Sequence, residues 1–320
     1  MRASEAPAAG GHRPVLLEAV CDLIVPALEG AEGAVVVDGT VGLGGHAEAL
    51  LRAAPACRLI GIDRDPTALQ AAGGRLAAFG SRVRLVHANA ADWRTVVEEV
   101  GWGRPRALLL DLGVSSPQLD RPERGFAFRQ DGPLDMRMDP TAGPTAADLL
   151  MRLDARQLER VLREYGEERH ARRIARHLAE VERRAPIRTT RALAEAVVAA
   201  LPPAVRGRGR DHPARRTFQA LRIAVNDELA SLERALEEGV DMLTPGGRIA
   251  VIAFHSLEDR IVKRALRAGQ AAGRLAVLTP RPLTASAGER RDNPRARSAK
   301  LRAAERLGAG PARLTAAGRE

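Results

Sequence analysis

Lysine is nearly missing from this chain: Lys263 and Lys300 stand alone among 50 basic residues, and arginine supplies the rest. Aromatic residues are also scarce, at 2% of the chain. That excludes a platform stacking many single-stranded bases but leaves room for the capture of one base. Cys21 and Cys57 are the only cysteines and lie in apolar or alanine-rich surroundings. Two thiols are too few for a disulfide framework or a zinc cluster. No grouping of His, Cys and carboxylate has metal-ligand spacing, so no metal is expected. No uninterrupted apolar run reaches the length a membrane helix needs. The stretch from Met1 to Gly11 has no basic region leading into an apolar one, so the expected location is the cytoplasm.

What is present is enough apolar material for a substantial core, 45% of 320 residues, and a strong positive charge, formally +10. Such a chain builds one large domain or two modest ones. A basic excess favours a polyanionic partner, with nucleic acid first among candidates. The paired abundance of arginine and alanine has the look of codon bias. The sign of the charge therefore informs more than any single arginine, since most surface arginines are merely solvated.

Between Ala34 and Ala127 short apolar runs alternate with helical segments, the pattern of a parallel sheet wrapped by helices. The predicted strands are Ala34 to Asp38, Arg58 to Asp63, Arg82 to Ala88 and Ala107 to Asp111. Three of them end on an acid: Asp38, Asp63 and Asp111. Carboxyl ends of strands face the ligand crevice in an open α/β sheet, so these acids should converge.

From about Thr145 to Leu201 the alternation gives way to helical periodicity. Leu158, Val161, Leu162 and Tyr165 share one face, as do Ile174, Leu178 and Val181, then Leu193, Val197 and Leu201. This helical insert closes with Pro202-Pro203 and a basic segment holding Arg206, Arg208, Arg210, Arg215 and Arg216. One long amphipathic helix through Phe218, Leu221, Val225, Leu229, Leu232 and Leu236 is predicted next. A turn at Thr244 to Gly247 leads into a strand from Arg248 to Phe254, so the α/β pattern resumes. Leu275 to Leu278 and Ser298 to Ala304 suit a final strand pair, and Leu307 to Glu320 has the composition of a disordered tail. The expected boundaries are 1–140 and 213–306 for the sheet domain, 141–212 for the insert and 307–320 for the tail.

The segment from Val37 to Ala47 follows a strand and precedes a helix, with Gly42, Gly44 and Ala47 in the spacing of a nucleotide-binding glycine loop. Asp63, 21 positions after Gly42, stands where an acid accepts hydrogen bonds from ribose hydroxyls. Dinucleotide enzymes share this layout, and a nicotinamide dehydrogenase is the competing reading. Asp38 argues against it. An acid just before the glycines would repel a pyrophosphate but suits the amino group of S-adenosylmethionine, whose sulfonium also fits an acid-lined crevice.

After the fourth strand comes Asp111-Leu112-Gly113-Val114-Ser115-Ser116-Pro117-Gln118. Methyltransferases acting on exocyclic amines place a polar-Pro-Pro-aromatic loop there, of which only Ser116-Pro117 survives. An aromatic amine has its lone pair delocalised, so polar groups must turn it toward the methyl donor; no strong base is required. Ser115 and Ser116 are the candidates for that task. His255 is a candidate base or RNA contact, with a structural role as the alternative, while Ser256 and Asp259 have capping-box spacing.

With these residues on the page, the chain resembles the bacterial family of small-subunit ribosomal RNA cytosine-N4 methyltransferases. The likeness rests on His12 to Leu17, Asp38 to His46, Gly61 to Pro66, Leu110 to Asp120, Glu123 to Phe126, Asp131 to Asp139, Tyr165 to Arg169, Phe254 to Arg264 and Asn293 to Ser298. It implies a Rossmann-like S-adenosylmethionine-dependent methyltransferase sheet, of α/β class, with an inserted all-helical domain for RNA recognition. It further implies N4-methylation of a cytidine in the decoding centre of 16S rRNA within the small ribosomal subunit. Cofactor contacts are implied at Gly44, Gly45, His46, Asp63, Asp111 and Gln118. Another is implied at Ala90, where the family often has an aromatic; Trp93 nearby is the expected substitute. The target base should leave its stack and enter the crevice, with Gly125 to Phe128 as its stacking surface or as packing under the insert. Phosphates should meet the arginines of the insert and of Arg206 to Arg216. The sequence leaves a homo-oligomer open. It also leaves two other functions open, a DNA amine methyltransferase and a non-catalytic RNA-binding assembly factor.

Overall fold

The computed structural model describes residues 14–206 and 212–308. His12, Arg13, Arg208, Arg210 and the tail beyond Gly308 lie outside the described residues. The chain forms two compact units, one of Met1–Gly113 with Ser231–Glu320, the other Val114–Ala230.

The first unit is a seven-stranded sheet of β1 (Val35–Asp38), β2 (Arg58–Asp63), β3 (Val83–His87), β4 (Ala107–Asp111), β5 (Arg248–Ala253), β6 (Leu275–Val277) and β7 (Lys300–Arg306). Their order is β3-β2-β1-β4-β5-β7-β6. The first five strands run parallel and β7 is antiparallel to both neighbours. Five of the predicted strands thus form within a residue or so of their expected ends, and the final pair forms as well. Parallel strands buried on both faces read as continuous apolar runs, which is why VVVD and ALLLD were legible.

Helices cover both faces. Helices α1 (Leu17–Leu28), α2 (Gly45–Ala53) and α3 (Pro66–Leu76) bury Ile24, Leu50 and Leu76 with Val36, Leu59 and Leu109 of the sheet. On the other face α4 (Trp93–Val100) is joined by α11 (Glu228–Met242) and α12 (Ser256–Ala271). They bury Trp93, Leu236 and Val262 with Val37, Ile60 and Leu108. Alternate residues of each strand serve opposite faces, as the period of two requires. The order of strands reverses between β1 and β4, the switch point at which α/β sheets bind ligands.

The second unit is helical: α5 (Ser116–Asp120), α6 (Ala146–Arg152), α7 (Ala155–Glu164), α8 (Ala171–Arg184), α9 (Thr190–Ala200) and α10 (Arg215–Asn226), with α13 (Ala287–Asp292) belonging to the sheet unit. Leu158, Leu162, Ile174, Leu178, Leu193, Val197 and Leu201 form its core, and Val161, Tyr165 and Val181 pack against it. Capping boxes start α6 and α7, Thr145 with Asp148 and Asp154 with Gln157.

The unit is larger than the 141–212 segment that periodicity marks, because residues 114–140 pack into the same core without helical spacing and α10, expected in the sheet domain from residue 213, packs there through Phe218, Ala220 and Leu221. Phe126, Leu134, Met136 and Met138 are buried there. The loop is pinned tightly: a Cβ on Gly132 would lie 2.0 Å from the Pro122 carbonyl oxygen. Asn226 accepts from Met138 N–H at 2.7 Å and donates to the Met136 carbonyl at 2.8 Å. Phe126 and Phe128 therefore serve packing. Phe128 meets Phe218 edge-on at 5.1 Å and His212 at 4.4 Å.

The single amphipathic helix expected from Phe218 to Leu236 is two helices. Asp227 takes a left-handed conformation, φ 48°, and ends α10 before α11 begins. Unbroken apolar spacing does not reveal one such residue, since a one-residue break leaves the stripe nearly in phase.

Candidate active site

The carboxyl edge of β2, β1 and β4 carries the three acids. Asp38, Asp63 and Asp111 each end their strand, and their fields overlap: Asp63 raises the Asp38 pKa and Asp38 that of Asp111. The expected convergence is present.

The glycine loop lies across this edge. Gly39 N–H donates to the Leu109 carbonyl at 2.9 Å and Val41 N–H to Ile62 at 2.9 Å, tying the loop to both neighbouring strands. Gly42 and Gly44 have φ of 52° and 76°, the left-handed region that glycine enters without cost from a Cβ. Gly44 is the N-cap of α2, with no side chain to cap the first turn. Asp63 holds the loop from below: one carboxylate oxygen accepts from Gly42 N–H at 2.8 Å and the other from Asp65 N–H at 2.9 Å. Its link to Gly42 is the physical content of their sequence spacing. Ala90 opens a short 3₁₀ turn after β3 and its Cβ lies 3.6 Å from where a Gly39 Cβ would be.

Burial and charge set the chemistry. Asp38 is 1% exposed, accepts one hydrogen bond from Thr40 N–H at 3.2 Å, and has its pKa pushed up to about 7 by desolvation. Asp111 is raised well above its ordinary value by burial, with Asp38 and Glu258 adding like charge. Its Oδ1 is buried and has no hydrogen-bond partner among the described residues. No Arg or Lys forms an ion pair with either acid among the described residues. Buried acids without a counter-charge are costly, and a ligand bringing an ammonium and a sulfonium would relieve them. The charge of the crevice fits S-adenosylmethionine on that ground.

His46, in the first turn of α2, is buried. Its Nε2 donates to the Val15 carbonyl at 3.0 Å and its Nδ1 lies 3.5 Å from Asp111 Oδ2. Gly45 sits under Pro14, where a Cβ would come within 2.4 Å of the proline Cγ.

Trp93 does not replace the missing aromatic at Ala90. It is fully buried on the sheet face covered by α4, α11 and α12, and its Nε1 donates to the Ala235 carbonyl at 3.0 Å. One turn of helix carries the ring from the crevice side to the core, which sequence proximity conceals.

In the helical unit, Ser115 is the N-cap of α5. Gln118 accepts from Ser115 N–H at 2.9 Å, so its buried carboxamide serves this cap. The Ser115 hydroxyl is buried without a hydrogen-bond partner among the described residues. Ser116 follows as the first helical residue.

The capping box of α12 is shifted one residue from the expected Ser256 and Asp259. His255 is the N-cap and Glu258 the N3 residue. Glu258 Oε2 accepts from Phe254 N–H at 2.7 Å and His255 N–H at 3.2 Å, and His255 Nε2 lies 2.9 Å from Oε1. The imidazole is thereby engaged at the helix start. Asp259 instead pairs with Lys300 and Arg302 of β7, at 3.2 and 2.6 Å. Imidazole is an uncommon cap, so spacing alone favoured serine.

A Ribosomal RNA small subunit methyltransferase H of Thermobifida fusca is 52% identical over 319 residues, covering 95% of each chain. A protein of the same name from Synechococcus sp. (strain JA-3-3Ab) is 54% identical over 304 residues, 92% of this chain and 94% of its own. Among solved structures, an rRNA methylase from Streptococcus thermophilus overlays with a TM-score of 0.45 at 12% identity, covering 93% of this chain and all of its own. The MraW methylase family matches residues 9–307, and this chain belongs to it, as an S-adenosylmethionine-dependent methyltransferase.

Proposed function

We propose that the enzyme methylates the exocyclic N4 of one cytidine in the decoding centre of 16S rRNA, acting on the small ribosomal subunit. The observation that carries this reading is Asp111: a buried carboxylate that has, among the described residues, one oxygen without a hydrogen-bond partner and no Arg or Lys ion pair, in the strand that leads directly into Ser115-Ser116-Pro117. The shared name of its relatives, methyltransferases of ribosomal RNA in the small subunit, supports the substrate class. The absence of any described helix long and apolar enough to cross a membrane agrees with an aqueous substrate.

When bound, the cofactor supplies an electrophilic methyl group. Asp38 would hold its amino end, Asp63 its ribose hydroxyls, and the Gly42 to Gly45 turn would let the backbone approach. Gly44, Gly45, His46, Ala90 and Gln118 complete the proposed cofactor set, Gln118 through the cap it makes with Ser115. Ser115 and Ser116 would turn the cytosine amine for in-line attack, the Ser115 hydroxyl being the one with an open hydrogen-bonding capacity. The helical unit would recognise the surrounding RNA.

The test is incubation with unmethylated small subunits and labelled S-adenosylmethionine, followed by mapping of the labelled nucleotide. Label at a single cytidine N4 is expected. No label in RNA would reject the proposal, and label in naked duplex DNA alone would turn it to a DNA amine methyltransferase. Normal turnover by a Ser116→Ala enzyme would remove Ser116 from the mechanism.

A further inference from the structure

The helical unit contains a groove of about 1190 Å³ that the chemistry at the sheet edge does not use. It runs along α8 and is closed by the end of α6, the start of α7 and the end of α9. Its lining includes Arg172, Arg173, Arg176, Arg183 and Arg188, all exposed.

Helix geometry explains the stripe. Arg172, Arg176 and Arg183 are four and seven residues apart on α8, opposite the face that buries Ile174, Ala175 and Leu178. The rise of a helix spaces them by about 6 and about 10 Å along its axis, a row that a polyanion backbone can follow.

The acids in the groove do not neutralise this row. Asp154 caps α7, accepting from Arg156 and Gln157 N–H at 2.8 Å. Glu180 is paired with Arg184, at 2.5 Å. Glu182 accepts from Ile187 N–H at 2.8 Å and lies 3.8 Å from Arg188. Arg172, Arg176 and Arg183 have no acidic partner among the described residues, whereas Arg163 and Arg184 pair with an acid one turn away. The contrast sets these three apart from an ordinary solvated face.

Two arginines at the close of the insert are held by backbone carbonyls, as Arg183 is by that of Ala179 at 3.3 Å. Arg206 donates to the Leu201 and Ala199 carbonyls at 2.9 and 2.8 Å, and Arg216 to the Glu167 carbonyl at 2.7 Å. They hold the unit together, while Arg208 and Arg210 of the same segment lie outside the described residues. Met151, 55% exposed, also lines the groove and offers an apolar surface beside the charges.

We propose that this groove binds the phosphate backbone of ribosomal RNA through Arg172, Arg176 and Arg183. The proposal rests on the rRNA reading above and names the surface that reading leaves unspecified. Phosphate binding of this kind sets affinity and salt dependence rather than sequence choice.

The experiment compares R172Q/R176Q/R183Q with R172K/R176K/R183K in the full chain, measuring small-subunit binding against salt together with methylation kinetics. The glutamine variant should bind at least ten-fold more weakly at about 150 mM salt, with a slope of log K on log salt shallower by about 2 for three lost phosphates. Its KM for subunits should rise, while its affinity for S-adenosylmethionine and its kcat at saturating subunits stay unchanged. The lysine variant should recover most of the binding. Equal slopes for the glutamine variant and the unaltered enzyme would overturn the proposal. So would a lysine variant no better than the glutamine one, or displacement of subunits by polyglutamate but not by oligoribonucleotide. An unaltered enzyme that labels no subunit would refute the rRNA reading instead.

Discussion

His46 Nδ1 and Asp111 Oδ2 face each other at 3.5 Å. Because the Val15 carbonyl can only accept, His46 Nε2 must carry the hydrogen it donates at 3.0 Å, so Nδ1 is left toward Asp111 Oδ2 at 3.5 Å. Two bare acceptors would repel; a proton on either side makes the contact attractive.

Asp111→Asn tests the cost of this arrangement. The Asp111 pKa is raised above its ordinary 3.8, so the folded state holds the proton more tightly than the unfolded chain does. Its contribution to stability is then fully present below that ordinary value and is lost as pH rises through the raised one. The cofactor-free variant should melt above the unaltered enzyme at about pH 9, and the gap should close toward about pH 4. Affinity for S-adenosylmethionine should fall at least ten-fold. A variant that melts lower at the alkaline end would contradict the assignment.

Asp38 gives the cofactor affinity a pH dependence. With its pKa at about 7, it is largely neutral below that pH and anionic above it. Only the anion attracts an ammonium group, so affinity should increase as pH climbs through 7. Titration calorimetry should show S-adenosylmethionine and its demethylated product sharing this rise, since both carry the amino group, and Asp38→Asn should flatten it. An Asp38→Asn profile parallel to that of the unaltered enzyme would assign the titration to another group.

Gly45→Ala probes packing beneath the loop. The new methyl would lie 2.4 Å from Pro14 Cγ, so the segment entering α1 must move. Overpacking of this kind costs about 1–3 kcal/mol. Chemical denaturation should register it, together with weaker cofactor binding, because His46 is the next residue and bonds to Val15. Unchanged stability would show that the segment yields freely.

Trp93→Phe separates core from cofactor. It removes the hydrogen bond to Ala235 and part of a fully buried ring. A loss of about 1–2 kcal/mol in stability is expected, with cofactor affinity within about two-fold. A selective loss of affinity at unchanged stability would return Trp93 to the cofactor site.

Ser115 illustrates how unevenly the site can be read from sequence. Its position after β4 was legible, because the strand and the following proline mark the loop. That its hydroxyl is buried, without a hydrogen-bond partner among the described residues, was not, because spacing shows neither burial nor the direction of a side chain.

By itself the sequence determined the parallel strands, the acids at their ends, the glycine turn and the helical insert. Each depends on short-range periodicity or on residue types that local backbone geometry demands. Tertiary structure decided where Trp93 points, which residue caps α12, where α10 stops, and which arginines have no acid partner among the described residues. Those outcomes depend on neighbours distant in the chain: Ala235 receives the indole, Lys300 and Arg302 draw Asp259 away, and the carbonyls of α9 occupy Arg206. Charge composition pointed to a polyanion; only the pairing of side chains in the folded helical unit singled out Arg172, Arg176 and Arg183.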